Sequence, residues 1–187
     1  MYTNNAVSSA YGEWWLGTLP LKSSILHVFF GGGIGGCWVK CAALQEVPQF
    51  HPFEIGHLGV AMHGPRCYCG GTGCLEQVVK LVGTEPDSNA SQQPLVYALR
   101  SLAQLLELDL IVLGGPLIEP MSVDSIAAIE SAVNSVQVTK SRIAGNARAV
   151  GTAATVFQKD FIPCYASRLD EDPRQETARR SIVLDRH

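Results

Sequence analysis

EIGHLGVAMHGPRCYCGGTGCLE, residues 54 to 76, gathers Cys67, Cys69 and Cys74 into one short glycine-rich run, with His57 ten residues ahead of the first cysteine. Zinc takes four ligands in a tetrahedron, sulfur at about 2.3 Å and imidazole nitrogen at about 2.0 Å, so the backbone supplying them must curl tightly around one point. Gly70, Gly71 and Gly73 permit that curl, because glycine enters positive φ without a steric penalty. His57 and the three cysteines make a closed Cys3His set; with no position left for water, a metal held there is structural. On spacing alone His63 serves equally well as the fourth ligand. A disulfide within the trio leaves an odd thiol, and three free thiols hedged by glycine make poor core residues, so metal binding is the stronger reading.

The rest of the chain frames this loop. It has 187 residues, 47% of them apolar and 17% charged, which reads as globular. A net charge of −3 and a pI near 5.9 offer no basic footprint for nucleic acid or an anionic membrane. MYTNNAVSSAYG has no basic n-region leading into an apolar stretch, and no later run approaches the roughly 18 apolar residues of a membrane helix. A cytoplasmic protein is therefore expected, with Cys37, Cys41, Cys67, Cys69, Cys74 and Cys164 as thiols or metal ligands.

Strand-like and helical runs alternate along the chain. Residues 5 to 17 carry helix formers and aromatics, with Asn4 or Asn5 as the cap. SILHVFF (24 to 30), GGGIGG (31 to 36) and CWVK (37 to 40) predict two strands joined by a glycine turn. Residues 41 to 53 show no period, and Pro48 and Pro52 keep them irregular. A short helix is expected over 74 to 82 and a polar loop over 85 to 94. Over 95 to 108, Leu95, Ala98, Leu99, Leu102, Leu105 and Leu106 fall at helical spacing. DLIVLGGPL (109 to 117) reads as a buried strand and glycine turn, 125 to 136 as a helix, 136 to 140 as a strand and 147 to 158 as a helix. The class is α/β, with one lobe over 1 to 160 and a charged, poorly ordered tail over 161 to 187.

On these elements a resemblance can be placed. Glu54, Ile55, Gly56, His57, Cys67, Cys69, Gly70, Gly73, Cys74, Leu75 and Glu76 match in register the signature of the ROK family, which comprises bacterial sugar kinases and sugar-responsive repressors. The chain resembles that family over about residues 3 to 158. The resemblance implies the C-terminal lobe of an actin-like sugar kinase (ribonuclease H-like) fold, with Zn2+ held by His57, Cys67, Cys69 and Cys74. It implies that Asn4, Asn5, Glu54, His57 and Glu76 bind a small-molecule sugar, the zinc loop fixing His57 and Glu76. It also assigns Gly31, Gly32, Gly33, Gly114 and Gly115 to the nucleotide side, AGNARAVGTAA (144 to 154) to a C-terminal helix, and a homodimer as the assembly.

Three departures shape the functional expectation. Asn5 stands where the family has the Asp that serves as general base, and a carboxamide has no basic site near neutral pH. No DxGGT-like segment of a preceding lobe, and no helix-turn-helix, occurs in this sequence, so a C-terminal lobe alone is expected. Cys37, Ala42, Val47, Phe50 and Phe53 replace glycines the family favours and are expected to crowd the sugar or strain a turn. The expected function is a zinc-stabilised, non-catalytic sugar-recognition lobe of a transcriptional regulator; the alternative is half of a hexose or N-acetylhexosamine kinase using ATP and Mg2+. Trp14 and Trp15 read as packing residues, His27 and His51 as lone histidines, and Glu13 and Glu46 as surface carboxylates.

Overall fold

The computed structural model describes residues 4–16, 19, 24–41, 48–82, 89–143 and 146–160. The expectations placed on Ala42, Glu46, Val47, Cys164 and the 161–187 tail lie outside the described residues. Five strands, β1 (Ser24–Phe30), β2 (Ile34–Lys40), β3 (Gln49–Phe53), β4 (Leu110–Gly114) and β5 (Gln137–Lys140), form one sheet in the order β3-β2-β1-β4-β5. The β3-β2-β1 half is antiparallel and the β1-β4-β5 half parallel. Five helices accompany it: α1 (Asn5–Trp15), α2 (Leu75–Val82), α3 (Asn89–Leu105), α4 (Val123–Val133) and α5 (Ala147–Asp160). None of the described helices is long and apolar enough to cross a membrane.

All residues of β1 and β4 are buried, as strands covered on both faces must be. Side chains alternate across a sheet, and two cores follow from that period. Leu26, Val28 and Phe30 of β1, with Ile111 and Leu113 of β4, pack with Leu75, Leu99, Ile129 and neighbours from α2, α3 and α4. Ile25 and Phe29, with Leu110 and Val112, pack with Ala6 and Ala10 of α1 and with Cys37 and Val39 of β2. The chain divides into two compact units, Met1–Thr152 and Ala153–His187; all five strands lie in the first, and the second is described only through the end of α5. Within the first unit α5 lies close on α1: a Cβ at Gly151 would come 1.6 Å from the Ser8 carbonyl oxygen.

Several boundaries differ from the sequence reading. β3 is a strand where irregular chain was expected; it forms an edge, where Pro52 is tolerated. Gly35 and Gly36 belong to β2, not to the turn, which is only Gly31–Gly33, closed by Gly31 N–H donating to the Gly33 carbonyl at 2.9 Å. The Phe53 ring covers Gly36 at 3.0 Å from a built Cβ, so the bulky residues of β3 fill space left by glycine in β2. α3 starts at Asn89 and runs through Pro94, forfeiting one i→i−4 bond. α4 starts at Val123, where the Ser122 hydroxyl accepts from Ser125 N, and ends at left-handed Asn134.

Candidate functional site

The glycine loop folds as its composition dictates, with one change. Gly70 and Gly73 take positive φ (94° and 65°), and Gly71 does not. Gly73 permits the closest approach, since a Cβ there would meet the Ala61 carbonyl oxygen at 1.6 Å. Cys67 N–H donates to the Gly71 carbonyl (2.8 Å), and Gly73 N–H to that of Pro65 (2.8 Å). The result brings His57, Cys67, Cys69 and Cys74 together with all ligand atoms within 4.8 Å of one another. Tetrahedral zinc with the usual bond lengths would put sulfur pairs about 3.8 Å apart and nitrogen-sulfur pairs about 3.5 Å apart. The Cys69 and Cys74 sulfurs are 3.6 Å apart, and Cys67 Sγ lies 3.4 Å from His57 Nδ1. These cysteines are free thiols, not disulfides, and His63 is exposed outside the cluster. Burial and the neighbouring Cys69 and Cys67 push the Cys74 thiol up to about 12, whereas the Gly71 backbone donor, then Cys74 and Cys67, lower Cys69. The four residues could hold a metal such as zinc, which would displace those thiol protons.

Leu75 opens α2 directly after Cys74, so the loop delivers Glu76 on the first turn of that helix. Glu76 is buried; its Oε1 pairs with Lys80 Nζ at 2.6 Å, and its Oε2 accepts from Ile34 N–H at 3.3 Å. It stands against Gly33 and Gly56, where built Cβ atoms would come within 2.8 Å and 3.2 Å of Oε2. A cavity of about 210 Å³ opens here, lined by Asn4, Asn5, Ala6, Phe29, Gly32, Gly33, Ile34, Gly35, Glu54, Tyr68 and Glu76. Of the two capping candidates Asn4 is the cap: its Oδ1 accepts from Ala6 N–H at 2.8 Å, and its Nδ2 donates to Glu54 Oε1 at 3.5 Å. Asn5 is exposed beside it.

Four of the five residues expected to meet the sugar thus share one cavity. His57 is not among its lining residues; its Nδ1 faces the cysteine cluster. Cys37, Phe50 and Phe53, expected to crowd the site, do not line it either. Phe50 packs with Tyr11 and Trp14, and Cys37 is buried under α1, where desolvation pushes its thiol up to about 12. The glycines expected on the nucleotide side end neighbouring parallel strands: Gly31–Gly33 follow β1, and Gly114 closes β4 with Gly115 (φ 100°) next. Binding crevices of open α/β sheets form outside such carboxyl ends.

One carboxylate was misjudged and one aromatic missed. Glu13 is not a surface residue: it is 1% exposed, accepting from the Ser141 hydroxyl and from Arg142 N–H (2.9 Å). His27, on the same face of the sheet, is fully buried with no hydrogen-bond partner for either ring nitrogen, and desolvation lowers it to about 4 against the opposing pull of Glu13. Nothing in local periodicity marks Glu13 as buried; its position in the third turn of α1 only becomes internal once α1 lies on the sheet. Tyr68, between two cysteines, lines the cavity with its ring at 81° to that of His57 and 4.9 Å away. Its phenol is raised above 10.0 by desolvation and then by Glu76, Cys67 and Glu54. Lys80 was legible as an i,i+4 partner of Glu76.

Residues 1–84 match the model of the ROK family. Over 77 residues the chain is 36% identical to the glucokinase of Aeropyrum pernix, a segment that is 40% of this chain and 24% of that protein. Over 74 residues it is 35% identical to the xylose repressor of Bacillus subtilis, covering 39% of this chain and 19% of the repressor. In three dimensions it is similar to the ROK hexokinase of Thermus thermophilus, with a TM-score of 0.63 at 23% identity over 82% of this chain and 65% of that one. The chain thus matches only part of the length of each.

Proposed function

We propose, from the match of residues 1–84 to the ROK family model and the likeness in fold to a ROK hexokinase, that the chain is a zinc-stabilised sugar-recognition lobe, the effector-binding part of a sugar-responsive transcriptional regulator, without kinase activity of its own. The observation that carries this reading is Asn5, placed at the start of α1 on the wall of a cavity that also holds Asn4, Glu54 and Glu76. Carboxylates and carboxamides together accept from and donate to several hydroxyls, while none of the amides can take a proton from one. General-base assistance is worth about 10²- to 10⁴-fold in rate, so a carboxamide at this position preserves binding and forfeits most of the transfer. Zinc suits the cluster because its donors are three sulfurs and one imidazole within 4.8 Å of one another.

A second reading, half of an ATP-dependent sugar kinase, is favoured by the glucokinase similarity and by the paired glycine turns at the ends of β1 and β4. Calorimetric titration with glucose and xylose, run beside an ADP-release assay with ATP and Mg2+, separates the two. Binding without ADP release, and an Asn5→Asp variant that gains transfer once supplied with the rest of a ROK kinase, is the expected result. Transfer at an ordinary kinase rate by the unchanged sequence, with no gain from Asn5→Asp, would sink the regulatory reading.

A further inference from the structure

Resting on the sugar-binding reading, the geometry points to Tyr68 as the aromatic platform of the cavity, stacking on the apolar C–H face of a neutral, unphosphorylated pyranose whose hydroxyls meet Glu54 and Glu76. Tyr68 is 76% exposed, yet it is held: the residues on either side are Cys67 and Cys69 of the four-residue cluster, and its ring lies edge to face with His57. An exposed but immobilised ring loses little conformational freedom on meeting a ligand, which is why aromatic side chains serve as binding anchors. The other ring on the cavity wall, Phe29, is 6% exposed and lies under Gly31 with the Arg148 guanidinium over it, leaving it little surface to offer.

The ligand class follows from the surrounding charge. Glu54 and Glu76 both line the cavity, and among the described residues a cation, Lys80, pairs with Glu76 alone, so a phosphate or carboxylate on the ligand meets a like charge at Glu54. A ring with several hydroxyls and one apolar face satisfies both the carboxylates and the phenyl surface. Burying the phenyl face of Tyr68 against the apolar face of the sugar is expected to change affinity by roughly tenfold.

The test is calorimetry on the full chain with glucose, xylose and glucose 6-phosphate, using Tyr68→Ala, Tyr68→Phe and Glu54→Gln, each checked for zinc content and thermal midpoint. Because the side chain is exposed, neither Tyr68 variant empties a core. The expected result is a Kd for glucose or xylose raised roughly tenfold by Tyr68→Ala and held within about threefold by Tyr68→Phe, at unchanged zinc, with glucose 6-phosphate bound far more weakly than glucose. An unaltered Kd in Tyr68→Ala while Glu54→Gln abolishes binding overturns the platform and leaves the sugar reading standing. Loss of zinc together with affinity in Tyr68→Ala overturns it as well, assigning the ring to loop structure, and equal affinity for glucose 6-phosphate overturns the neutral ligand. Absence of binding to any of these sugars by the unchanged chain removes both the sugar reading and the platform.

Discussion

The loop from Leu58 to Gly73 and the strand pair β1–β4 are held together by opposite means. In the loop only Cys67 and Gly73 are buried, and order comes from backbone hydrogen bonds across glycine turns and from the His57–cysteine cluster. In β1 and β4 every residue is buried, and order comes from apolar side chains packed on both faces of the sheet. The loop draws less on the hydrophobic effect, whose stabilisation scales with apolar area removed from water: Leu58 and Val60 pack half-buried against the core, and a metal held by the cluster would add ligand bonds. One molecule therefore contains a segment ordered by glycine turns around a His/Cys cluster that could hold a metal and a segment ordered by packing, and the cavity lies where the two meet, with Glu76 delivered by the first and Gly32 and Gly33 by the second.

That contrast can be broken by experiment. The largest effect is expected from metal removal: chelation should withdraw stabilisation on the order of 10 kcal/mol from the loop. Hydrogen exchange would then be fast over 57–76 while β1 and β4 stay protected, and uniform deprotection of both regions would show that they are not separately held. Next comes packing: Leu113→Ala, at a fully buried position, should cost about 2–5 kcal/mol in urea unfolding with zinc content unchanged.

A smaller effect isolates the one titratable group inside β1. The His27 value in the folded protein, about 4, lies below its ordinary 6.5, so the folded state favours neutral imidazole. As pH falls from 6.5 towards 4 the unfolded chain takes up a proton that the folded chain refuses, and stability declines by on the order of 3 kcal/mol. Urea midpoints measured across that window should fall in the unchanged protein and flatten in His27→Leu; a parallel decline in both assigns the pH response elsewhere. The smallest effect is expected at Glu13, where Glu13→Ala strands the Ser141 hydroxyl and Arg142 N–H and should cost about 1–3 kcal/mol, with no change in the metal loop's exchange.

Much of this is legible in the sequence. β1 and β4 start where their apolar runs start, because a continuous apolar stretch has few alternatives to burial on both faces. The gathering of the cysteines with a histidine was readable because cysteines at such spacing with glycines between them can curl around one point. What was not readable was set at a distance. Pro52 argued against a strand, yet β3 forms because an edge tolerates proline. Pro94 argued for a loop, yet α3 runs through it and packs against α2 and α4. The choice between His57 and His63, even on spacing, was decided by which imidazole the fold carries to the cysteines.

By itself, then, the sequence determined the donor set, the absence of a carboxylate at Asn5, the α/β class and the two apolar strands at its centre, since these depend on residue type and local period. Only the tertiary structure decided that Asn4 caps α1 while reaching Glu54, that Glu76 is wedged between Gly33 and Gly56, that Tyr68 lies on the cavity wall, and that Glu13 and His27 are internal. Each of those depends on residues brought together from different elements. Burial, ion pairing and close approach are properties of such juxtapositions, and no window of neighbouring residues contains them.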